Sequence, residues 1–179
     1  MQLLCLDLAT RTGFCHGAAD TGEVPTIGNV LMPSTGADVG RFLAAYRDWL
    51  TEKVCEVEPD LIVMEAPILH GTTTITVTRK LQGLAGVTEM VVTDLNQKHR
   101  ALGLAEIEVA EVAATSVKKA LTGSGRAEKP AMIEAARLYG LNPSCSDEAD
   151  AFGVFLLTVR TRLPELAGRW DAMNFTRAA

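Results

Sequence analysis

The sequence has 179 residues, 47% of them hydrophobic and 22% charged, with a net charge of −5 and a pI near 5.2. This composition suits one domain with a substantial core and excludes a disordered chain or a uniformly basic nucleic-acid-binding surface. No apolar run is long enough to span a bilayer, and the opening residues "MQLLCLDLA" lack an export-signal pattern, so a cytoplasmic location is expected.

Taken in chain order, "LLCLDLA" reads as a buried strand ending near Asp7. "RTGFCHGAA" reads as a second strand, joined by a tight turn containing Gly13, and "TIGNVLMP" as a third, stopped by Pro33. Short connections predict an antiparallel meander. Val39, Phe42, Leu43, Tyr46, Trp49, Leu50 and Val54 then recur at helical spacing, predicting an amphipathic helix with a core-facing aromatic stripe. "PDLIVMEAP" is a short apolar strand of the kind found in the doubly covered, parallel part of an α/β sheet. A loop to about Thr74 and a long helix to about Lys98 follow, with Gly83 and Gly86 allowing close approach by another element. The next strand is expected near Ile107–Val112. "TSVKKALTG" predicts a short helix capped by Thr115 or Ser116 and stopped by Gly123. A second helix carries Pro130 near its first turn, and a final helix runs from about Asp147 to Arg162 with Ser146 as N-cap. The expectation is one α/β domain over residues 1–163, a five-stranded mixed sheet flanked by helices, with a C-terminal tail at 164–179.

The four cysteines form no CxxC pair, and the three histidines are scattered. The cysteines therefore read as small buried hydrophobes, not zinc ligands. Acids are the more informative residues. Asp7 ends the first strand, Glu65 ends the fourth, and Asp147 and Asp150 open the last helix one turn apart. Ends of adjacent parallel strands meet at one crevice, and a helix N-terminus brought there would complete a group of four carboxylates. Gathering like charges needs compensation, and divalent cations with hard oxygen ligands supply it. Two such ions suit phosphodiester cleavage. Spacing alone leaves open a nuclease and other metal-dependent phosphoryl-transfer enzymes.

The ordered set of motifs resembles the RuvC family of Holliday-junction resolvases, RNase H-like nucleases of bacteria and phages. "LDLATRTGF" is similar to the first-strand motif, "VMEAP" to the second acidic motif, "VKKALTGSGRAEKPAM" to the basic, glycine-containing stretch and "DEADAFGV" to the closing motif. The resemblance implies an RNase H-like fold and a homodimer that resolves four-way DNA junctions by paired nicks. It implies Asp7, Glu65, Asp147 and Asp150 as catalytic residues holding two Mg²⁺ or Mn²⁺ ions. The alternatives are a broader endonuclease on branched DNA, flaps or RNA–DNA hybrids and a catalytically silent DNA-binding protein of the same fold. A phage-type branch acting on branched or replicating DNA more broadly fits the departures from the bacterial members equally well.

Charge is unevenly spread. Residues 1–90 hold six basic and eleven acidic side chains, whereas Thr115–Arg137 holds five basic and two acidic ones. Lys118, Lys119, Arg126 and Lys129 are therefore the first candidates for phosphate contacts, with Arg79 and Lys80 as secondary ones. The family's loop after the catalytic Glu approaches the junction centre; here Ile68 and Leu69 are the apolar residues at that point.

Overall fold

The computed structural model describes residues 1–67 and 73–175. Five strands form one sheet: β1 (Gln2–Asp7), β2 (Arg11–Ala18), β3 (Thr26–Leu31), β4 (Leu61–Glu65) and β5 (Glu108–Val112). Their order is β3-β2-β1-β4-β5. β1, β2 and β3 pair antiparallel, whereas β4 and β5 run parallel to β1 and to each other. The expected mixed sheet is therefore present.

Its helices cover both faces because β1 is apolar on both. Leu3 and Cys5 point into one core and Leu4 and Leu6 into the other, all fully buried. An uninterrupted apolar run is what a strand sandwiched between two helical layers requires. On the face of Leu4 and Leu6 lie α1 (Val39–Val57) and α2 (Ile75–Leu102), contributing Phe42, Tyr46, Leu50, Leu84 and Val91. α1 and α2 touch closely at Gly83, where a Cβ would lie 2.6 Å from a methyl of Leu43. Gly86 opens to solvent and carries no such contact. A buried hydrogen bond of 2.8 Å between the Tyr46 and Thr88 hydroxyls satisfies two polar groups in this layer.

On the opposite face lie α3 (Ala114–Thr122), α4 (Lys129–Arg137) and α5 (Ser146–Arg162). α5 runs across the middle and buries Ala149, Ala151, Phe152, Gly153, Val154, Phe155 and Leu156 in succession. A helix buried nearly all round must lie inside a layer rather than on it. Truncating Phe155 to Ala should cost about 3–5 kcal/mol.

Four local expectations change. Gly13 lies within β2, opposite Asp7, not in a turn. α3 takes Ala113 as its N-cap without a side-chain bond, because the chain leaves β5 at Val112 and the Ala113 carbonyl at once accepts from Val117. Cys145, not Ser146, is the N-cap of α5, and the Ser146 hydroxyl instead donates to Asp147 Oδ1 at 3.3 Å. The segment expected as a tail packs on the domain: a 3₁₀ helix (Pro164–Trp170) and a short α6 (Ala172–Phe175) follow α5. Trp170 is fully buried edge-on to Phe155, and its indole N–H donates to the Ala19 carbonyl at 2.9 Å. Gly123 does stop α3 in the left-handed conformation, at φ 80°. Among the described residues, Cys5 and Cys15 are buried whereas Cys55 is exposed. No described helix is long and apolar enough to cross a membrane.

Candidate active site

The site grows out of strand composition. β1 and β4 run parallel with Leu6 opposite Met64, so the next residues, Asp7 and Glu65, leave the core together at the carboxyl ends of neighbouring strands. In both strands the first charged residue after the apolar run falls at the rim of the sheet. The N-terminus of α5 reaches the same rim by passing over β2 at Gly13. A Cβ at Gly13 would lie 1.9 Å from the Asp147 carbonyl oxygen, so no other residue permits this crossing.

One carboxylate oxygen from each of Asp7, Asp147 and Asp150 lies within 4.8 Å of the others. Asp147 lies in the first turn of α5, where the helix dipole favours negative charge by about 0.3–1 kcal/mol, and Asp150 follows about one turn later on the same face. Glu65 is outside this tightest group but lines the same crevice, a cavity of about 360 Å³ shared with Asp7, Ala66, Pro67, Leu81, Lys118 and Asp150.

The electrostatics are those of an uncompensated group. Burial, and then the charges of Glu65, Asp150 and Asp147, hold the Asp7 carboxyl well above the ordinary carboxylate range, with the Lys129 ammonium pulling the other way. Glu65 is pushed up to about 7, first by burial and then by Asp150, against the pull of Lys118. Burial also raises Asp150; Lys118 and Lys129 oppose the shift and Asp147 adds to it. Oδ1 of Asp150 is buried without a hydrogen-bond partner. A buried carboxylate oxygen without a donor is costly in a metal-free site and is what a cation ligand requires. Three clustered carboxylates and an orphaned oxygen therefore fit a hard divalent cation such as Mg²⁺ or Mn²⁺.

The basic candidates separate. Lys118 and Lys129 lie within electrostatic reach of the acids, and Lys118 lines the crevice. Lys119 and Arg126 are exposed on the neighbouring surface. Arg79 is exposed on α2, whereas Lys80 donates to the Gly36 carbonyl at 2.9 Å and sits over the Phe42 ring. Ile68 and Leu69 lie outside the described residues.

Four residues beside the cluster, Arg11, Asn29, Ser144 and Glu148, were not singled out from sequence. The Arg11 guanidinium reaches within 4.0 Å of Asp147 Oδ2. Glu148 is buried and bonded to Asn29 of β3 and to Ser144. Burial alone would raise the Glu148 carboxyl, but bonds from Ser144 and Asn29 pull it below the ordinary range. A Glu at the third position of a helix is the returning half of a capping box, the one signal that could have marked it.

No family model matches the chain. By sequence it is 29% identical over 159 residues to a crossover junction endodeoxyribonuclease RuvC from Ruegeria pomeroyi, covering 86% of this chain and 88% of that protein. A RuvC from an Anaeromyxobacter species is 45% identical over 64 residues, a match to 35% of this chain and 31% of that protein. Among solved structures, Thermus thermophilus RuvC in complex with a Holliday-junction substrate superposes with a TM-score of 0.68 at 16% identity, covering 93% of this chain and 97% of that one. The structure described as Thermus thermophilus RuvC alone gives 0.61 at 16% identity, covering 92% and 97%. A yeast mitochondrial Holliday-junction resolvase gives 0.58 at 12% identity, covering 99% and 84%. The resemblance to RuvC and the RNase H-like fold are borne out. A phage-type branch is not supported; both curated relatives named here are bacterial.

Proposed function

We infer that this chain is a RuvC-family crossover junction endodeoxyribonuclease that resolves four-way DNA junctions by paired phosphodiester nicks. The observation that carries the inference is the convergence of Asp7, Asp147 and Asp150 at the end of the central strand, in a chain similar to RuvC along most of its length. Asp7, Asp147 and Asp150, faced by Glu65 from β4, would hold two Mg²⁺ or Mn²⁺ ions. Such ions activate a water and stabilise the leaving oxygen of a phosphodiester.

The protein's own residues do the placing. The backbone of Asp7 is fixed by the central strand and by its pairing with Gly13, so its side chain starts from a set position at the rim. Asp147 and Asp150 are carried by a helix locked into the core through Phe152 and Phe155. Pro67 and Leu81 wall the crevice and restrict water around the acids. Lys118 and Lys129 draw the scissile phosphate toward a site whose own charge would repel it. Lys119 and Arg126 extend that positive surface, and Arg79 contributes from the α2 side, where Lys80 is engaged by the Gly36 carbonyl and the Phe42 ring. A homodimer would supply two such sites, one for each of two opposed strands. This activity belongs in the cytoplasm.

The test is cleavage of a labelled four-way junction in Mg²⁺, with both nicks mapped. Symmetrically related nicks, absent in EDTA, are the expected result. Faster cleavage of flaps, forks or RNA–DNA hybrids would replace resolution with a broader branched-DNA nuclease. No nicking with any divalent cation would leave the catalytically silent alternative.

A further inference from the structure

Glu148 lies between two members of the acid cluster in sequence, yet its carboxylate is bonded elsewhere. It is 6% exposed. Oε1 accepts from Asn29 Nδ2 at 2.6 Å and from the Ser144 hydroxyl at 2.8 Å, and Oε2 accepts from the Ser144 backbone N–H at 2.6 Å. Asn29 stands on β3, 119 residues away. Its amide nitrogen also reaches the Ser144 hydroxyl at 3.4 Å, and its Oδ1 accepts from Arg11 Nη1 at 3.0 Å. Arg11 Nε in turn faces Asp147 Oδ2 at 4.0 Å. One asparagine therefore joins the edge of the sheet to both sides of the first turn of α5.

We propose that Glu148, Asn29 and Arg11 form a clasp that fixes this turn on the sheet, making Glu148 and Asn29 positioning residues for Asp147 and Asp150. The proposal rests on reading the acid cluster as a metal site. Two physical facts call for such a device. α5 begins at Cys145, whose own side chain makes no cap bond, so Glu148 reaching back to the Cys145 backbone N–H is the local anchor of its first turn. Without a cation, repulsion among Asp7, Asp147 and Asp150 also pushes that turn away from β1. Charge-assisted hydrogen bonds to a buried carboxylate are strong and directional enough to supply the anchor and resist the repulsion. A buried, fully bonded charge is an expensive way to gain stability alone, because an apolar side chain of similar size often serves as well. Its return here is orientation: Asp147 and Asp150 meet Asp7 already placed.

The test compares whole purified wild-type protein with N29A, N29D, E148Q and N29D/E148Q. Two readouts are taken well below each melting temperature: Mn²⁺ affinity without DNA, and amide hydrogen exchange at residues 146–150. N29A removes a bond without changing charge, and should weaken Mn²⁺ binding by about tenfold, the low end for supporting residues around a metal site. N29D sets two carboxylates against each other and should weaken it further. N29D/E148Q restores a donor facing an acceptor, and should return to within about threefold of wild type. Exchange at 146–150 should quicken in N29A and N29D and recover in the double variant. Mn²⁺ affinities of folded N29A and N29D within about twofold of wild type would overturn the proposal, whatever their melting temperatures. If wild type binds no Mn²⁺, the metal reading fails. The clasp then stands on faster exchange confined to 146–150 in N29A, and falls if that exchange is unchanged.

Discussion

Each end of the sheet carries a cavity, and the two differ in charge more than in size. At the end opposite the acid cluster, a cavity of about 440 Å³ is lined by Val54, Cys55, Glu58, Asp60, Leu95, His99, Glu106 and Ile107 among others. It too holds acids, but most are partnered. Asp60 accepts from the Gln2 N–H at 2.7 Å, Glu106 pairs with Arg100 at 3.2 Å, and His99 Nδ1 meets the Ala105 carbonyl at 2.7 Å. The smaller crevice holds Asp7, Glu65 and Asp150, raised by burial and mutual repulsion, with an orphaned oxygen on Asp150. Uncompensated charge, rather than volume, sets the proposed reaction site apart from the cavity at the other end.

The sharpest way to break this contrast is to neutralise one acid at each end. Asp7→Asn or Asp150→Asn should lower Mg²⁺-dependent nicking by roughly 10³-fold or more, with junction affinity in a gel-shift assay nearly unchanged. Glu106→Gln, in the other cavity, should leave nicking rates where they were. Near-normal turnover in either Asn variant would remove the acid cluster from the chemistry.

Next comes Gly13→Ala. Its methyl has no room beside the Asp147 backbone, so α5 must shift or β2 must bend, at a cost of about 1–3 kcal/mol in urea unfolding. Nicking should fall by more than that loss of stability explains, because the displaced turn carries Asp147 and Asp150.

A pH experiment sharpens the same comparison. Glu65 titrates at about 7 in the folded chain against an ordinary 4.5. A carboxyl raised on folding contributes stability that is fully present below 4.5 and lost as pH rises through 7. In EDTA, Glu65→Gln should therefore melt higher than wild type at pH 8 and by a smaller margin at pH 5. Added Mg²⁺ should shrink the pH 8 difference, since the ion stabilises only the wild-type carboxylate. An equal margin at both pH values would mean that Glu65 carries no such penalty. The smallest effect expected is that of Lys118→Ala: junction affinity falls a few-fold, and the slope of log affinity against log salt drops by about one.

Sequence alone reached the sheet because strand composition leaves few choices. The doubly buried run Leu3–Leu6 had to be central, and the acids ending β1 and β4 had to emerge at one rim. Contacts across the fold were less legible. Gly13 looked like a turn residue, since its true reason is the helix crossing above it. Glu148 was not singled out, since its partner Asn29 is remote in sequence. Ser146 looked like a cap, but Cys145 takes that position and Glu148 reaches back instead. Trp170 sat in what read as a tail, because two aromatics, Trp170 and Phe175, in a short mixed stretch give no periodicity to detect.

Trp170 has a consequence for how the protein is made. It closes the face formed by Phe155 and Ala19, and Arg169 bonds the neighbouring Asp20 carbonyl. β1 and β2 leave the ribosome early, yet the helix and indole that cover them follow about 150 residues later, roughly ten seconds or more at ordinary rates of translation. Through that interval the nascent sheet lacks the cover that α5 and Trp170 give it in the finished fold. Asp7 meanwhile waits without Asp147 and Asp150, so a half-synthesised chain would lack the acid cluster on which the proposed cleavage rests.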